Sequence, residues 1–242
     1  MNFETQLRLW YNQNKRALPW RESKDPYLVW LSEVVMQQTR VAQGTNYYNR
    51  FAEKYPTVKH LANAPADAVM KLWEGLGYYS RARNMHAAAK QIVADFDGKL
   101  PDNYHDLLKL KGVGPYTSAA ISSICFNKKH AVVDGNVYRV LARIFGIETP
   151  INSSAGIKIF NDLANSFIQN SPDPGEYNQA IMEFGALHCT PKSPKCHTCI
   201  FGQNCVAFAT GRVEILPVKS KANPLKNRYL NYLLFVNDHQ IV

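Results

Sequence analysis

No long apolar run interrupts the 242-residue chain. The longest near-apolar stretch toward its end, Tyr229 to Val236, is far too short to cross a bilayer, so no membrane role is expected. The opening Met1-Asn2-Phe3-Glu4-Thr5-Gln6 lacks a basic segment followed by an apolar one. No secretory signal is therefore visible, and the expected address is the cytoplasm, or the nucleoid of a cell without compartments. Internal repeats and low-complexity segments are absent. Acidic residues are scarce beside basic ones: 19 against 28, a formal charge of +9. A chain that basic suits a polyanionic partner, nucleic acid being the commonest, or is simply a basic enzyme. Cysteine is sparse, with five residues, and without an export signal these argue for metal or redox chemistry over a disulfide framework.

The dominant period is helical. Leu28, Leu31, Val34 and Val35 recur at helix spacing behind Asp25-Pro26, an N-cap followed by proline at the first helical position. Similar patterns run through Val69, Leu72, Trp73 and Leu76, then Thr117 to Phe126, Val137 to Ile144 and Ile157 to Phe167. Asp173-Pro174 with Glu176 resembles a capping box ahead of Tyr177, Ile181 and Phe184. No alternating run precedes residue 228, so the body is predicted to be all-α. Residues 213–227 read as a basic linker, and Arg228 to Val236 as a strand. Asn237-Asp238 then reads as a turn and His239 to Val242 as the start of a return strand. Two strands without a sheet bury no core, so the sequence is expected to be cut inside a domain. Residues from about Pro217 onward are expected to dock loosely.

Cys189, Cys196, Cys199 and Cys205 form C-x6-C-x2-C-x5-C. Thiolates that dense repel one another unless a cation neutralises them. Structural zinc remains open, but zinc sites usually pair two knuckles and only one is present here. A [4Fe–4S] cube accepts one tight pair with longer arms and is favoured by the spacing. Cys125, among Ile121 and Ile124, reads as a small core residue. Between Cys189 and Leu230 stand Lys192, Lys195, Arg212, Lys219, Lys221, Lys226 and Arg228 against Glu214, or +6 of the +9. Lysines held outward by the first cysteine loop would suit phosphates.

Leu110-Lys111-Gly112-Val113-Gly114-Pro115-Tyr116 lies between two predicted helices. Gly112 and Gly114 allow a tight turn and close backbone approach, as in a helix–hairpin–helix that grips one DNA backbone without reading sequence. Asp134 follows Val132-Val133 and precedes a helix, so it is an N-cap, a carboxylate at the rim of a pocket, or both. Glu33 sits among Trp30, Leu31, Val34 and Val35. Desolvation there would raise its pKa; a solvated helix acid is the plain alternative.

Taken in order, hairpin, aspartate and four cysteines resemble the endonuclease III superfamily of DNA glycosylases, over nearly everything from Trp20 to Cys205. Trp30-Leu31-Ser32-Glu33-Val34-Val35-Met36-Gln37-Gln38-Thr39-Arg40-Val41 and Gly75-Leu76-Gly77-Tyr78-Tyr79-Ser80-Arg81 resemble two signatures of its MutY branch, the adenine glycosylases. The tail from Arg228 resembles the opening of that branch's Nudix-like C-terminal domain. The resemblance implies a two-lobed fold. Residues 1–22 and 131–212 would form a discontinuous iron–sulfur lobe, and 23–130 a six-helix lobe holding the hairpin. Residues 213–227 would then be the linker and 228–242 the Nudix-like fragment.

It further implies a monomeric, monofunctional glycosylase that flips adenine out of duplex DNA opposite 8-oxoguanine or guanine. Glu33 would be the acid on the base and Asp134 the carboxylate that stabilises the sugar cation. Asn136 and Tyr116 would support the pocket. Gln38 and Tyr78 would wedge the minor groove, while Thr39 and Leu76 face the oxidised guanine. Gly112 and Gly114 would grip the backbone, and the four cysteines would hold a [4Fe–4S] cluster. The slot after the hairpin holds Tyr116 where endonuclease III-like lyases have lysine, and tyrosine forms no Schiff base. A thymine-mismatch glycosylase also fits Tyr116, and a non-catalytic iron–sulfur DNA-binding protein is the alternative outside enzymes.

Overall fold

The computed structural model describes residues 3–220 and the backbone of 236–237 and 240–241. The start signals read in the sequence open helices. Asp25 accepts a hydrogen bond from the Tyr27 amide at 2.8 Å, Asp134 from Val137 at 2.8 Å and Asp173 from Glu176 at 2.9 Å, each satisfying an orphan first-turn donor. The expected capping box at Asp173 is only half made. The Glu176 carboxylate turns instead to Arg8 and Asn12 on the N-terminal helix, because that charge partner lies nearby.

In chain order the helices are α1 (Phe3–Asn14), α2 (Pro26–Met36), α3 (Val41–Lys54), α4 (Val58–Asn63), α5 (Ala66–Trp73) and α6 (Ser80–Asp95). They continue with α7 (Tyr104–Leu107), α8 (Pro115–Phe126), α9 (Gly135–Phe145), α10 (Ser154–Ile168), α11 (Pro174–Leu187) and α12 (Val206–Ala209). The protein is all-α apart from an antiparallel pair, β1 (Val236–Asn237) and β2 (Gln240–Ile241), with Val236 opposite Ile241. Asn237 therefore belongs to a strand and not to the expected turn. The predicted strand residues 228–235 lie outside the described residues. No helix among the described residues is long and apolar enough to cross a membrane.

Two hydrophobic cores form. Trp30, Leu31, Phe51, Leu61, Trp73 and Ile92 anchor the first, drawn from α2 to α6. Leu7, Trp10, Leu141, Phe160, Ile181 and Phe184 anchor the second, so α1 packs on α11 although far from it in sequence. α8 lies between them. It sends Ile121 into the first core and Ala119, Ala120 and Ile124 into the second, and every residue from Thr117 to Ile124 is buried. A helix apolar or small on all sides must be covered all round. α2 divides likewise, with Trp30 and Leu31 in the first core and Val29 in the second.

The stretch read as a linker departs from expectation at its start. Leu216 is buried in the second core, Val218 packs against it, and the Ile151 amide donates to the Val218 carbonyl at 3.0 Å. Asn152 and Ser220 exchange two further bonds, Ser220 N to Asn152 Oδ1 at 2.8 Å and Asn152 Nδ2 to Ser220 O at 3.2 Å. Residues 217–220 are thus tied down, because Leu216 and Val218 find apolar surface that local composition does not reveal.

The loop after α1 is fixed by charge. Glu183, on α11, is buried and accepts from the Arg16 amide and guanidinium at 2.9, 2.9 and 2.6 Å and from Arg21 at 3.0 and 2.9 Å. Burial alone would raise its pKa, but the Arg16 and Arg21 hydrogen bonds outweigh that and hold it at about 2. Glu183→Leu should cost about 3 kcal/mol at neutral pH, since two partly buried guanidinium groups lose their acceptor. The sign follows from the depressed pKa. The contribution is full above the ordinary value of 4.5 and disappears as pH falls through about 2. Urea denaturation of both chains across that range should show their difference shrinking with acid.

Candidate active site

α2 presents Val29, Ser32 and Glu33, at i, i+3 and i+4, on the face turned away from the first core. They line a small crevice of about 50 Å3 together with Trp20, Arg21, Ile124, Gln179 and Met182. Glu33 keeps partial exposure at this crevice. Its pKa is pushed up to about 7, first by burial and then by the negative charge of Asp134, while a hydrogen bond with Tyr116 pulls it partly back. Tyr116, in the first turn of α8, also has its hydroxyl 3.3 Å from Met182 Sδ. Burial and the two carboxylates push its own pKa far above the usual phenol value, so it stays a neutral donor.

Asp134 caps α9 and is held from two sides. The Val137 amide donates to Oδ1, and Asn136 Nδ2 donates to Oδ2 at 2.8 Å. Asn136 Oδ1 accepts from Arg139 Nη2 at 2.8 Å. Arg139 also donates to the carbonyls of Gly185 and Cys189, each at 2.8 Å. α11 approaches Asn136 so closely that a Cβ on Gly185 would lie 2.6 Å from Asn136 Cβ. Glu33, Tyr116, Asp134 and Asn136 therefore gather at one place from three helices, a half-buried acid facing a fixed carboxylate.

The residues expected to meet DNA lie in three loops. Gln38 and Tyr78 are exposed tips with left-handed φ of 53° and 46°. Thr39 is half-buried, its hydroxyl donating to the Gln37 carbonyl at 3.2 Å. Leu76 is 6% exposed, and its side chain packs into the first core. Its apolar character served the core, which the motif alone did not disclose. Gly112 has φ of 77°, with Asn84 filling the space a Cβ would need. Gln91 braces the hairpin, donating to the Lys109 carbonyl and accepting from the Lys111 amide, both at 3.1 Å. Gly114 is extended and serves as the N-cap position of α8.

All four cysteines of the motif line a second, narrow cavity of about 20 Å3, beside Arg143, Phe184 and His188. Among the described residues no three His, Cys, Asp or Glu side chains are set to hold a metal ion. Burial pushes the Cys199 thiol up to about 11 and raises Cys189 and Cys196, so protein alone does not favour the thiolates. Donors are nonetheless in place: Arg143 Nη1 lies 3.5 Å from Cys189 Sγ, and the Phe201 amide 3.4 Å from Cys199 Sγ. Four sulfurs on one cavity fit a cationic group that would deprotonate them on binding. Lys192 and Lys195 are exposed beside it, and Cys125 packs against both cores as a core residue.

Sequence reading missed Trp20, Arg21, Gln179 and Met182 as walls of the Glu33 crevice. The available signal was the Gln179, Met182 and Glu183 stripe at i, i+3 and i+4 on α11.

A family model described as HhH-GPD superfamily base excision DNA repair protein matches residues 31–165, more than half the chain. The chain belongs to this superfamily. Adenine DNA glycosylase of Rattus norvegicus is 42% identical over 227 residues, covering 89% of this chain and 44% of that protein. The adenine DNA glycosylase of Buchnera aphidicola subsp. Baizongia pistaciae is 35% identical over 241 residues, covering 96% and 68%. The chain thus spans less than half the length of the rat relative. A thermostable thymine-DNA glycosylase structure matches with a TM-score of 0.79 and 29% identity over 86% of this chain and 95% of that one. A non-covalent endonuclease III–DNA complex shares the fold, with a TM-score of 0.70 and 22% identity over 87% and 99%.

A carboxyl kept neutral by burial costs folding free energy. Between its ordinary value of 4.5 and about 7, folded Glu33 retains a proton the unfolded chain has lost, so stability falls as pH rises. Glu33→Gln removes that cost. It should stabilise the protein by about 1–3 kcal/mol at about pH 8 and by nothing measurable below about pH 4, as read by urea denaturation.

Proposed function

We propose that this chain excises adenine mispaired with 8-oxoguanine or guanine in duplex DNA, by acid-assisted hydrolysis of the glycosidic bond. The observation that carries the reading is the half-buried Glu33 carboxyl set beside Tyr116 and a fixed Asp134, where its pKa is pushed up to about 7. The similarity to adenine DNA glycosylases supports the choice of base.

A base must leave the stack to reach the crevice. Glu33, protonated, transfers its proton to the adenine ring and makes it a leaving group. Asp134 balances the positive charge developing on the sugar, and the bonds from Asn136 and Val137 keep its oxygens aimed during that change. Tyr116 orients the acid and lacks the amine a lyase would use. Gln38 and Tyr78 fill the opened stack with Thr39 near the opposite base, and Gly112 and Gly114 with the outward lysines take the phosphates. Cys189, Cys196, Cys199 and Cys205 would hold a [4Fe–4S] cluster, whose role is to neutralise the thiolates and fold the basic loop. In the same reading residues 1–22 and 131–212 form the cluster lobe and 23–130 the six-helix lobe. The chain acts as a monomer, on DNA in the nucleoid.

Glu33→Gln and Asp134→Asn should each bind a mismatched duplex yet lose excision by about 100-fold or more. Because the acid form is needed, the wild-type rate should fall as pH rises through about 7. Nicking assays on A·8-oxoguanine and T·G duplexes, with and without alkali, separate the alternatives. Adenine loss that needs alkali for strand breakage is expected. Thymine loss, or neutral-pH cleavage trapped by borohydride, would favour the mismatch or lyase reading. Anaerobically purified protein should carry about four irons per chain, and stoichiometric zinc would overturn the cluster.

A further inference from the structure

Arg81 stands at the start of α6 with 9% exposure, in the motif that also carries Leu76 and Tyr78. Its Nη1 donates to the carbonyls of Val34 and Val35 at 3.1 Å each, to that of Gln37, and to Thr39 Oγ1 at 3.2 Å. Its Nη2 donates to the carbonyls of Leu76 and Gly77 at 3.4 Å each. One planar group therefore closes the C-terminus of α2 and holds the loop after it against the loop between α5 and α6. The guanidinium carbon lies 5.0 Å from the Trp73 ring and 5.7 Å from that of Tyr78. Desolvation disfavours its charge, and Nε has no partner, so the position is not an easy one for arginine.

The two loops it joins are those that carry Gln38 and Tyr78. Both tips are non-glycine residues in the left-handed region, a conformation that persists only where the surroundings over-determine it. Trp73 Nε1 adds a bond to the Gly77 carbonyl at 2.9 Å, and the Tyr47 hydroxyl one to Glu74 at 2.7 Å. Those fix the second loop alone, whereas the Arg81 bonds span both. We propose that Arg81 is a positioning residue that sets the spacing of the Gln38 and Tyr78 tips, so that they enter the duplex as one rigid wedge. This rests on the proposed base-flipping function. A lysine would keep the charge but could not span six acceptors, because it lacks the planar fork.

The test uses Arg81→Lys in the full chain, with duplexes carrying 2-aminopurine, whose fluorescence rises when it leaves the stack, in place of the target adenine. Arg81→Lys should fold, bind undamaged duplex within about 2-fold of wild type, and lower opening and duplex excision by about 10-fold. Excision of adenine from a single-stranded loop, already open, should change by less than about 3-fold. In a Tyr78→Ala background Arg81→Lys should add little, because the two act through one wedge. Equal losses on closed and open substrates, additive effects, or an Arg81→Lys chain that fails to fold would each overturn the proposal and leave Arg81 purely structural. Opening is read without excision. A wild-type chain that unstacks 2-aminopurine but releases no adenine would therefore sink the chemistry proposed above while leaving the wedge intact.

Discussion

Glu33 stands where α2 passes from one core to the other, and its environment there depends on both. The first core anchors the helix through Trp30 and Leu31, while the second supplies Ile124, Gln179 and Met182 as the opposite wall. With one core alone the carboxyl would face water and keep its ordinary acidity. Between two cores it is dry enough to hold a proton near neutrality and open enough to be reached. Burying α8 on all sides has the same origin. The helix brings Tyr116 to the carboxyl only because both cores accept it.

Arginine does much of the joining that packing does not. Arg81, Arg139 and Arg143 are buried and donate largely to main-chain carbonyls: those of the tip loops, of Gly185 and Cys189, and of Thr190, Pro191 and Leu216 respectively. Loops cannot cover their own carbonyls, and five donors in one rigid plane can serve several at once. Arg16 and Arg21 are likewise committed, to Glu183. The +9 of the chain therefore overstates the charge free to meet an anion. The cations left for phosphate are exposed ones such as Arg40, Arg83, Lys111, Lys192 and Lys195.

What could be read from the sequence was local chemistry. Asp25-Pro26 and Asp173-Pro174 announce helix starts, because caps and proline act within a few residues. Glu33 and Asp134 were legible as candidates because a carboxylate among apolar neighbours and one before a helix are local patterns as well. That Leu76 packs into the first core was not legible, because apolar character at a loop end is silent about which side is water. Leu216 and Val218 looked like linker for the same reason, since the surface they cover comes from a distant part of the chain. The pairing of Glu183 with Arg16 and Arg21 spans more than 160 residues, so no window along the chain could contain it.

The cysteine loop and the carboxylate of Asp134 are far apart in sequence but share a mechanical connection. The Cys189 carbonyl accepts from Arg139, Arg139 donates to Asn136, and Asn136 donates to Asp134. Gly185 lets α11 press on Asn136 where any side chain would push it away, so the asparagine has little freedom to swing. Each bond in this series is short and each donor at least partly buried, so a shift at one end is passed along more cheaply than it is absorbed. Whatever folds the cysteine loop therefore also helps fix where the second carboxylate points. In the proposed chemistry, that would give a basic, metal-compatible loop a part without its touching the base.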